Sequence, residues 1–208
     1  MAGPKQPALV LASASPRRRD LLAQAGVSFE VLASHVDETL VGQPAPAQAA
    51  EFLARLKALA VAEVLPKDRT CWVLGADTVV VLGPDEHATL LGKPVDAPAA
   101  ASMLRSLSGT RHRVITGVCV VSWPSGEVLV GHECTFVTMR TIQPNEVLAY
   151  VASGEWQDKA GGYAIQETAD AFVQRLEGGG FDNVVGLPVK RVFEMLRHAG
   201  LAIGEIGS

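Results

Sequence analysis

Acidic and basic side chains with potential for phosphate chemistry interrupt segments that are otherwise small or apolar. Asp77 lies in the middle of the apolar run Cys71–Leu82, where a carboxylate is costly to bury unless it has a partner or a chemical task. Glu38 lies in a polar, proline-rich loop, Lys57 lies on a predicted helix, and Lys93 lies in another loop. Carboxylates hold Mg²⁺ or Mn²⁺, and lysines neutralise charge that develops on phosphates. These residue types therefore favour metal-assisted phosphoryl transfer, with a carboxylate accepting a proton from the attacking water.

A run of three arginines, Arg17–Arg19, follows the short apolar segment Leu9–Leu11 and a turn of small residues. Ser15 is a good N-cap and Pro16 fits the first helical position, so we predict a strand, a tight turn and a helix that stops at Gly26. Cations oppose the dipole at a helix N-terminus, whereas an anion is stabilised there. The run therefore indicates a bound anion, and a phosphate gripped by guanidinium groups fits best.

Structural interpretations stay open for the same residues. The arginine run is also typical of a solvated basic patch on an ordinary helix. Asp77 is also explained if it caps a nearby turn, and Lys93 taken alone is typical of a surface lysine. The choice depends on whether the fold brings these side chains together.

Apolar periodicity places the charged residues on an alternation of strands and helices. We predict strands over residues 9–11, 29–32, 71–82, 113–121, 128–139 and 172–176, and helices over residues 16–25, 48–65, 99–107, 143–152 and 189–199. The fourth and fifth strands form an antiparallel pair because Gly126 turns the chain between them. The fold class that follows is α/β with a mixed sheet.

Two segments of this pattern carry candidate residues. The helix over 48–65 is expected to place Lys57 beside a buried face formed by Phe52, Leu53, Leu56, Leu59 and Ala60. The segment 153–166 is polar and rich in glycine, so we expect a loop outside the packed core that enters a strand at Tyr163.

Composition limits the classes of protein to which the chain can belong. The 208 residues suit one domain or two lobes sharing a core, and their net charge of −4 argues against broad nucleic-acid binding. Three scattered cysteines, Cys71, Cys119 and Cys134, are typical of reduced core thiols in a cytosolic protein. The polar N-terminus and the lack of a long apolar stretch predict a cytoplasmic protein without a signal peptide or a contact with membranes.

Six motifs occur in order along the chain: ASASPRRR, GADTVV, LGKPVD, LSGTRHRVITGV, SGEWQDKAGGYAIQ and NVVGLP. Together they closely resemble the Maf family of nucleoside triphosphate pyrophosphatases, and the resemblance runs from about Leu9 to Gly200. Any one motif is weakly specific, whereas six in sequence at suitable spacing are specific.

The resemblance implies a two-lobed α/β fold, similar to that of inosine triphosphate pyrophosphatases, in which helices flank a bent mixed β-sheet and a central cleft binds the nucleotide. Residues 1–208 would form a single catalytic domain, with residues 1–7 and 202–208 as loose termini. The implied reaction is hydrolysis of a nucleoside triphosphate to the monophosphate and pyrophosphate, with a divalent cation such as Mg²⁺, Mn²⁺ or Co²⁺ as cofactor.

The resemblance also implies roles for individual residues. Asp77 of the GAD motif is the expected proton acceptor, and Asp77 and Glu38 are the expected metal ligands. Ser13 and Arg18 are expected to contact the triphosphate. The positions that match the family's catalytic pocket are Asp77, Glu38, Lys57 and Lys93.

Three positions distinguish branches of the family. Arg17, Thr78 and Gln166 stand where a branch that prefers 7-methyl-GTP carries Trp, Gln and an acid, so all three resemble the dTTP/UTP branch. The Gln166 amide can pair with the polar edge of uracil or thymine. The implied substrates are dTTP and UTP, with CTP and modified pyrimidine nucleotides left open. Glu167 departs from the family, which often has Gly at this position, and puts the local loop shape in question.

Two other functions stay open. The same pocket would suit a nucleotide-binding regulator of cell division or septum formation with little turnover, although the intact carboxylates Asp77 and Glu38 favour an enzyme. An RNA-associated factor is disfavoured by the negative net charge and by an aromatic content of 5%. A homodimer is among the assemblies that the sequence leaves open.

Overall fold

The computed structural model of the protein describes residues 8–40, 42–166 and 168–203. The departure from the family pattern at Glu167 lies outside the described residues, as do residues 1–7 and 204–208 of the predicted loose termini. The organisation of the chain as one domain with two lobes stays a prediction.

Strands of the described chain form one mixed sheet. They are β1 (Leu9–Leu11), β2 (Phe29–Val31), β3 (Cys71–Leu82), β4 (Thr89–Leu91), β5 (Arg111–Trp123), β6 (Glu127–Met139) and β7 (Val173–Gly178). Their order is β2-β1-β3-β5-β6-β7, and β4 pairs with one end of β3. β1 is parallel to β2 and β3, whereas the other pairs are antiparallel. The predicted α/β class, the mixed sheet and the antiparallel β5–β6 pair are therefore confirmed.

Helices flank this sheet. They are α1 (Pro16–Gln24), α2 (Pro46–Val64), α3 (Ala97–Leu107), α4 (Pro144–Ser153), α5 (Phe181–Val185) and α6 (Val189–His198). Proline begins α1, α2 and α4, because the first turn of a helix has no use for the missing N–H. Neither α5 nor β4 was predicted, because the five residues of α5 make little more than one helical turn and β4 adjoins the loop that carries Lys93. Among the helices of the described residues, none combines the length and apolar character that crossing a bilayer would require.

Both faces of the sheet are covered. Leu74 of β3 packs with Leu22 of α1 and Leu196 of α6 on one face. Its neighbour Val73 packs with Ala58 of α2 on the other face, because successive strand residues point to opposite sides. This double coverage explains why β3 reads as a nearly continuous apolar run.

The buried face of α2 differs from the predicted one. Phe52 is 51% exposed, because the helix approaches the sheet with its small residues. A Cβ atom at Gly75 would lie 2.3 Å from the carbonyl oxygen of Ala54, and one at Gly117 would lie 2.2 Å from that of Ala50. At these two contacts the helix backbone therefore rests directly on β3 and β5, and only small residues fit there. The residues buried on α2 are Pro46, Ala49, Ala50, Leu53, Ala54, Lys57, Ala58, Val61 and Ala62.

The segment 153–166 packs more tightly than its polar composition predicts. It forms a 3₁₀ turn at Ala160–Gly162, and the predicted strand at Tyr163 is wrong because no described strand pairs with that residue. Gly161 adopts φ 71° and lies against β3, where a Cβ atom would approach the side chain of Val80 to 3.0 Å. The buried residues of this stretch are Lys159, Gly161, Gly162, Tyr163, Ala164 and Ile165.

The three cysteines are free thiols. Cys71 and Cys119 are buried as predicted, and burial raises the pKa of both thiols, to about 12 for Cys119. Cys134 is only half-buried, so the prediction of a core position is wrong for this residue.

Candidate active site

The middle of β3 lies at a gap in the sheet. One edge of β3 pairs with β5 along nearly its whole length. On the other edge, β1 pairs with β3 as far as Leu74 and β4 pairs from Val80 onward, so no described strand pairs with residues 75–79 there. Asp77 points from this stretch toward α2, and Thr78 points to the opposite face toward α1. The gap therefore lets side chains from both faces of the sheet reach the same place.

On the α2 face, Lys57 joins two carboxylates. Its Nζ lies 2.5 Å from Asp77 Oδ1 and 3.0 Å from Glu38 Oε1. The side chains of Lys57 and Asp77 are 9% and 10% exposed, and such buried charges are tolerated because they are paired. The second oxygens, Asp77 Oδ2 and Glu38 Oε2, make no hydrogen bond with another described residue. They are therefore free to bind a proton, a cation or water.

On the opposite face, three hydrogen bonds hold the guanidinium group of Arg18. Its Nε donates to the carbonyl oxygen of Gly186 at 2.8 Å, and its Nη1 and Nη2 donate to Ser13 Oγ and Thr78 Oγ1 at 3.3 and 3.1 Å. Burial lowers the pKa of Arg18 and the charge of Asp77 opposes this shift, while a guanidinium stays protonated in any case. Two of its five N–H groups are not used in these bonds, so they can contact an anion.

These groups line two adjoining cavities. The inner cavity of about 110 Å³ lies between β3, α1 and the segment 158–166, and the outer cavity of about 650 Å³ adjoins the turn between β1 and α1. The outer volume is typical of a small-molecule site, and the inner cavity extends it toward Asp77 and Gln166. The two cavities share Arg17, Arg18, Lys57 and Lys93 in their walls. The candidate residues of the sequence, each lining at least one cavity, are Ser13, Arg17, Arg18, Glu38, Lys57, Asp77, Thr78, Lys93 and Gln166.

The basic run divides between the cavities and solvent. Arg17 and Lys93 line both cavities, and neither forms a hydrogen bond or an ion pair with another described residue. Arg19 is exposed and lies 3.4 Å from Asp20. Ser15 occupies the N-cap position of α1 as predicted, but its side chain makes no cap hydrogen bond. The N-terminal turn of α1 therefore keeps N–H groups without a side-chain acceptor, next to two cations that suit an anionic ligand.

The segment 158–166 forms the other wall of the inner cavity. Its position is set by a hydrogen bond of 2.8 Å between Tyr163 Oη and His112 Nε2, and by donation from the Gly161 N–H to the carbonyl oxygen of Gly92 at 3.0 Å. Gln166 is exposed at the cavity, and its amide has no hydrogen bond to another described residue. A free amide offers a donor and an acceptor side by side, which suits the edge of a nucleobase.

Comparison with known proteins places the chain in a family. Residues 8–199 match the family model Maf, described as Maf-like protein. The chain belongs to the Maf family. It is 48% identical over 192 residues to the dTTP/UTP pyrophosphatase of Pelotomaculum thermopropionicum, which covers 92% of this chain and 96% of that protein. Proteins of the same name from Geobacillus sp. and Moorella thermoacetica are 46% and 48% identical over 92% and 94% of this chain, and over 98% and 96% of their own lengths.

The acidic pair of this Maf protein fits a cation that is shared with a substrate. Within the described residues, no group of three or more His, Cys, Asp or Glu side chains is arranged to hold a metal ion. Asp77 and Glu38 each keep one carboxylate oxygen that Lys57 does not contact. Mg²⁺ is usually held by one or two carboxylates together with phosphate oxygens and water. The donor set therefore fits Mg²⁺ or a similar hard cation, provided that phosphate supplies further ligands.

Sequence reasoning missed the contribution of Gly186, although this residue lies in the NVVGLP motif. The acceptor for Arg18 is a backbone carbonyl 168 positions away, and a backbone acceptor leaves no trace in residue type. The detectable signal was the glycine itself, which adopts φ 126°. A Cβ atom there would lie 3.4 Å from Thr78 Oγ1 and 3.5 Å from Arg18 Nε.

Proposed function

We propose that this protein is a nucleoside triphosphate pyrophosphatase that hydrolyses dTTP and UTP to the nucleoside monophosphate and pyrophosphate. The observation that carries the proposal is the cluster in which Lys57 joins Asp77 and Glu38, next to Arg17 and Lys93, which pair with no other described residue. Membership of the Maf family and the relatives named dTTP/UTP pyrophosphatase support it. CTP and modified pyrimidine nucleotides are further candidate substrates.

In the proposed reaction, water attacks the α-phosphorus, and the bond from this phosphorus to the oxygen that bridges to the β-phosphate breaks. Asp77 accepts the proton of the attacking water at Oδ2, the oxygen that Lys57 leaves free. The ion pair with Lys57 keeps the Asp77 carboxylate in place and compensates part of its negative charge. Cationic and hydroxyl groups stabilise the charge that develops on the phosphates. The side chains assigned to phosphate contacts are Ser13, Arg18 and Lys93.

Asp77 and Glu38 would hold the divalent cation of the proposed reaction, which is Mg²⁺, Mn²⁺ or Co²⁺. When bound, the cation supplies Lewis-acid polarisation of phosphate oxygens. Asp77 can serve both as a ligand and as a proton acceptor, because a carboxylate oxygen has two lone pairs.

Preference for pyrimidine nucleotides is assigned to Arg17, Thr78 and Gln166. The Gln166 amide would donate to a carbonyl oxygen of uracil or thymine and accept from the ring N–H beside it. Arg17 and Thr78 line the inner cavity together with Arg18 and Lys93, which are assigned to phosphate contacts. Gln166 is therefore assigned to the base of the nucleotide, whereas Arg17 and Thr78 are assigned to the end that carries the phosphates.

The test is pyrophosphate release from dTTP, UTP, CTP, GTP and 7-methyl-GTP, with Mg²⁺, Mn²⁺ or Co²⁺. We expect fast release from dTTP and UTP. The variant Asp77→Asn should lose turnover by about 10²- to 10⁴-fold while still binding the nucleotide, because the amide cannot accept the proton. The matched control is Asp37→Asn, because the Asp37 carboxylate is exposed and accepts from the N–H and hydroxyl of Thr39.

Other outcomes would redirect the proposal in defined ways. Unchanged rates in Asp77→Asn would remove Asp77 from the mechanism. Preference for 7-methyl-GTP would keep the reaction and reject the assignment of Arg17, Thr78 and Gln166. Nucleotide binding without release of pyrophosphate would favour the regulator of cell division. The cytoplasmic location, the lack of nucleic-acid binding and a homodimer stay predictions.

A further inference from the structure

The hydrogen-bond network of Arg18 continues past Thr78 into the core. The register of the sheet places Thr116 of β5 opposite Thr78, and their Oγ1 atoms lie 2.9 Å apart. Thr116 is fully buried and donates to the carbonyl oxygen of Asn183 on α5 at 2.9 Å. The network therefore links the guanidinium group of Arg18, which lines the cavities, to the backbone carbonyl of Asn183 on α5.

That carbonyl fixes the direction of the protons in the network. A carbonyl oxygen only accepts, so Thr116 must donate its single hydroxyl proton to Asn183. Thr78 must then donate to Thr116, which leaves a lone pair of Thr78 Oγ1 for the Nη2 of Arg18. Without the hydroxyl of Thr116, the hydroxyl of Thr78 is free to rotate and is no longer a fixed acceptor.

The helix that supplies the carbonyl is itself held firmly. The side-chain amide of Asn183 donates to the carbonyl oxygen of Val114 at 3.1 Å and to Thr135 Oγ1 at 2.8 Å. Gly186, which follows α5, supplies the acceptor for Arg18 Nε. Because α5 is fixed to β5 and β6, it positions two nitrogens of the Arg18 guanidinium group. Nε is held by the carbonyl oxygen of Gly186, and Nη2 is held through Thr78 and Thr116.

We propose that Thr116 is a positioning residue for Arg18 that acts through Thr78. Thr116 lines neither cavity in the described structure, so it acts without touching the substrate. The inference rests on the proposed pyrophosphatase function, because it concerns the orientation of a guanidinium group that would contact the triphosphate.

The first test compares the steady-state kinetics of Thr116→Val, Thr116→Ala and Thr116→Ser with dTTP and UTP. The two variants without a hydroxyl should lose roughly tenfold in kcat/KM, because a hydrogen bond to a charged group is weakened. The loss should be equal for both nucleotides, since Arg18 contacts the phosphates that they share. Thr116→Ser keeps the hydroxyl and should stay close to the parent protein.

A matched control separates this role from general anchoring of α5. Thr135 is also fully buried and also bonds Asn183, but its hydroxyl has no contact with Thr78. Thr135→Val should therefore change kcat/KM much less than Thr116→Val, even where both lower the unfolding midpoint.

A double-variant cycle tests whether Thr116 acts through Thr78. If it does, Thr78→Val combined with Thr116→Val is no slower than Thr78→Val alone. Three outcomes would each overturn the role of Thr116 while pyrophosphate release by the parent protein stands. They are parent-like kinetics of both hydroxyl-free variants, a loss in Thr135→Val equal to that in Thr116→Val, and losses that multiply in the double variant. Lack of release by the parent protein would overturn the proposed function and this inference together.

Discussion

At the residue scale, the charge of the cavity depends on how Lys57 is shared. Its ammonium group contacts Asp77 and Glu38 but can neutralise a single carboxylate, so one negative charge stays uncompensated within the cluster. That charge suits a proton or a cation, while Arg17 and Lys93 nearby suit phosphates. Opposite charges are thus kept a short distance apart, which is the arrangement that phosphoryl transfer requires.

The variant Lys57→Met should lose both activity and stability. It leaves the Asp77 carboxylate buried without its partner, and breaking a buried ion pair costs about 3 kcal/mol. Lys93→Met is the matched control, because Lys93 has no ion pair with another described residue and is exposed. It should lower the rate of pyrophosphate release and leave the urea midpoint unchanged. Equal urea midpoints for the two variants would contradict this account of Lys57.

At the scale of elements, the site depends on the close approach of α2 to β3 and β5. Gly75 and Gly117 provide the flat surface on which the alanines of α2 lie. Gly117 is also the partner of Asp77 in the β3–β5 register. The contact that allows the helix to pack therefore lies directly beside Asp77, on the same face of the sheet.

Gly117→Ala is expected to destabilise the protein by about 2 kcal/mol, because the added Cβ atom would meet the backbone of α2 and push the helix away. The same displacement should separate Lys57 from Asp77 and lower activity. In Gly92→Ala the new methyl group meets nothing within 4 Å, so its urea midpoint should match that of the parent protein. A stable, fully active Gly117→Ala variant would show that α2 can move without harm.

At the scale of the whole molecule, the cavities are assembled from distant parts of the chain. The turn after β1, the loop with Glu38, the middle of β3 and the segment 158–166 contribute walls, so the cavities exist only in the folded state. The net charge is −4, yet cations dominate one wall, which concentrates positive potential where an anion would bind. Stability also depends on His112, a buried side chain that forms a hydrogen bond with Tyr163 in the segment 158–166.

The free energy of unfolding should fall as the pH falls from about 6.5 to about 4. Burial lowers the pKa of His112 from 6.5 to about 4, so in this window the unfolded chain binds the proton and the folded protein does not. The contribution of neutral His112 to the free energy of unfolding is fully present above the pKa of this residue in the unfolded chain, and it amounts to about 3 kcal/mol. Urea unfolding across this range, compared between the parent protein and His112→Gln, isolates the effect. Parallel pH profiles would mean that His112 titrates normally.

Much of the architecture follows from local pattern. The limits of β3 match its apolar run, and α1 begins at Pro16 as the capping signals predict, because these features depend on neighbours in sequence. The candidate residues were found from residue type together with six motifs that resemble the Maf family, and the family assignment is confirmed. The catalytic and binding roles of these residues stay predictions that the experiments above address.

The sequence by itself determined the fold class, the family and the set of residues with chemical potential, because periodicity and motif are properties of short segments. Tertiary structure alone decided which face of α2 is buried, since that depends on the absence of side chains at Gly75 and Gly117 on other elements. It alone decided that Arg18 forms hydrogen bonds with Gly186 and with Thr78, which is paired with Thr116. Backbone carbonyls and cross-strand neighbours become partners only when the fold brings distant segments side by side.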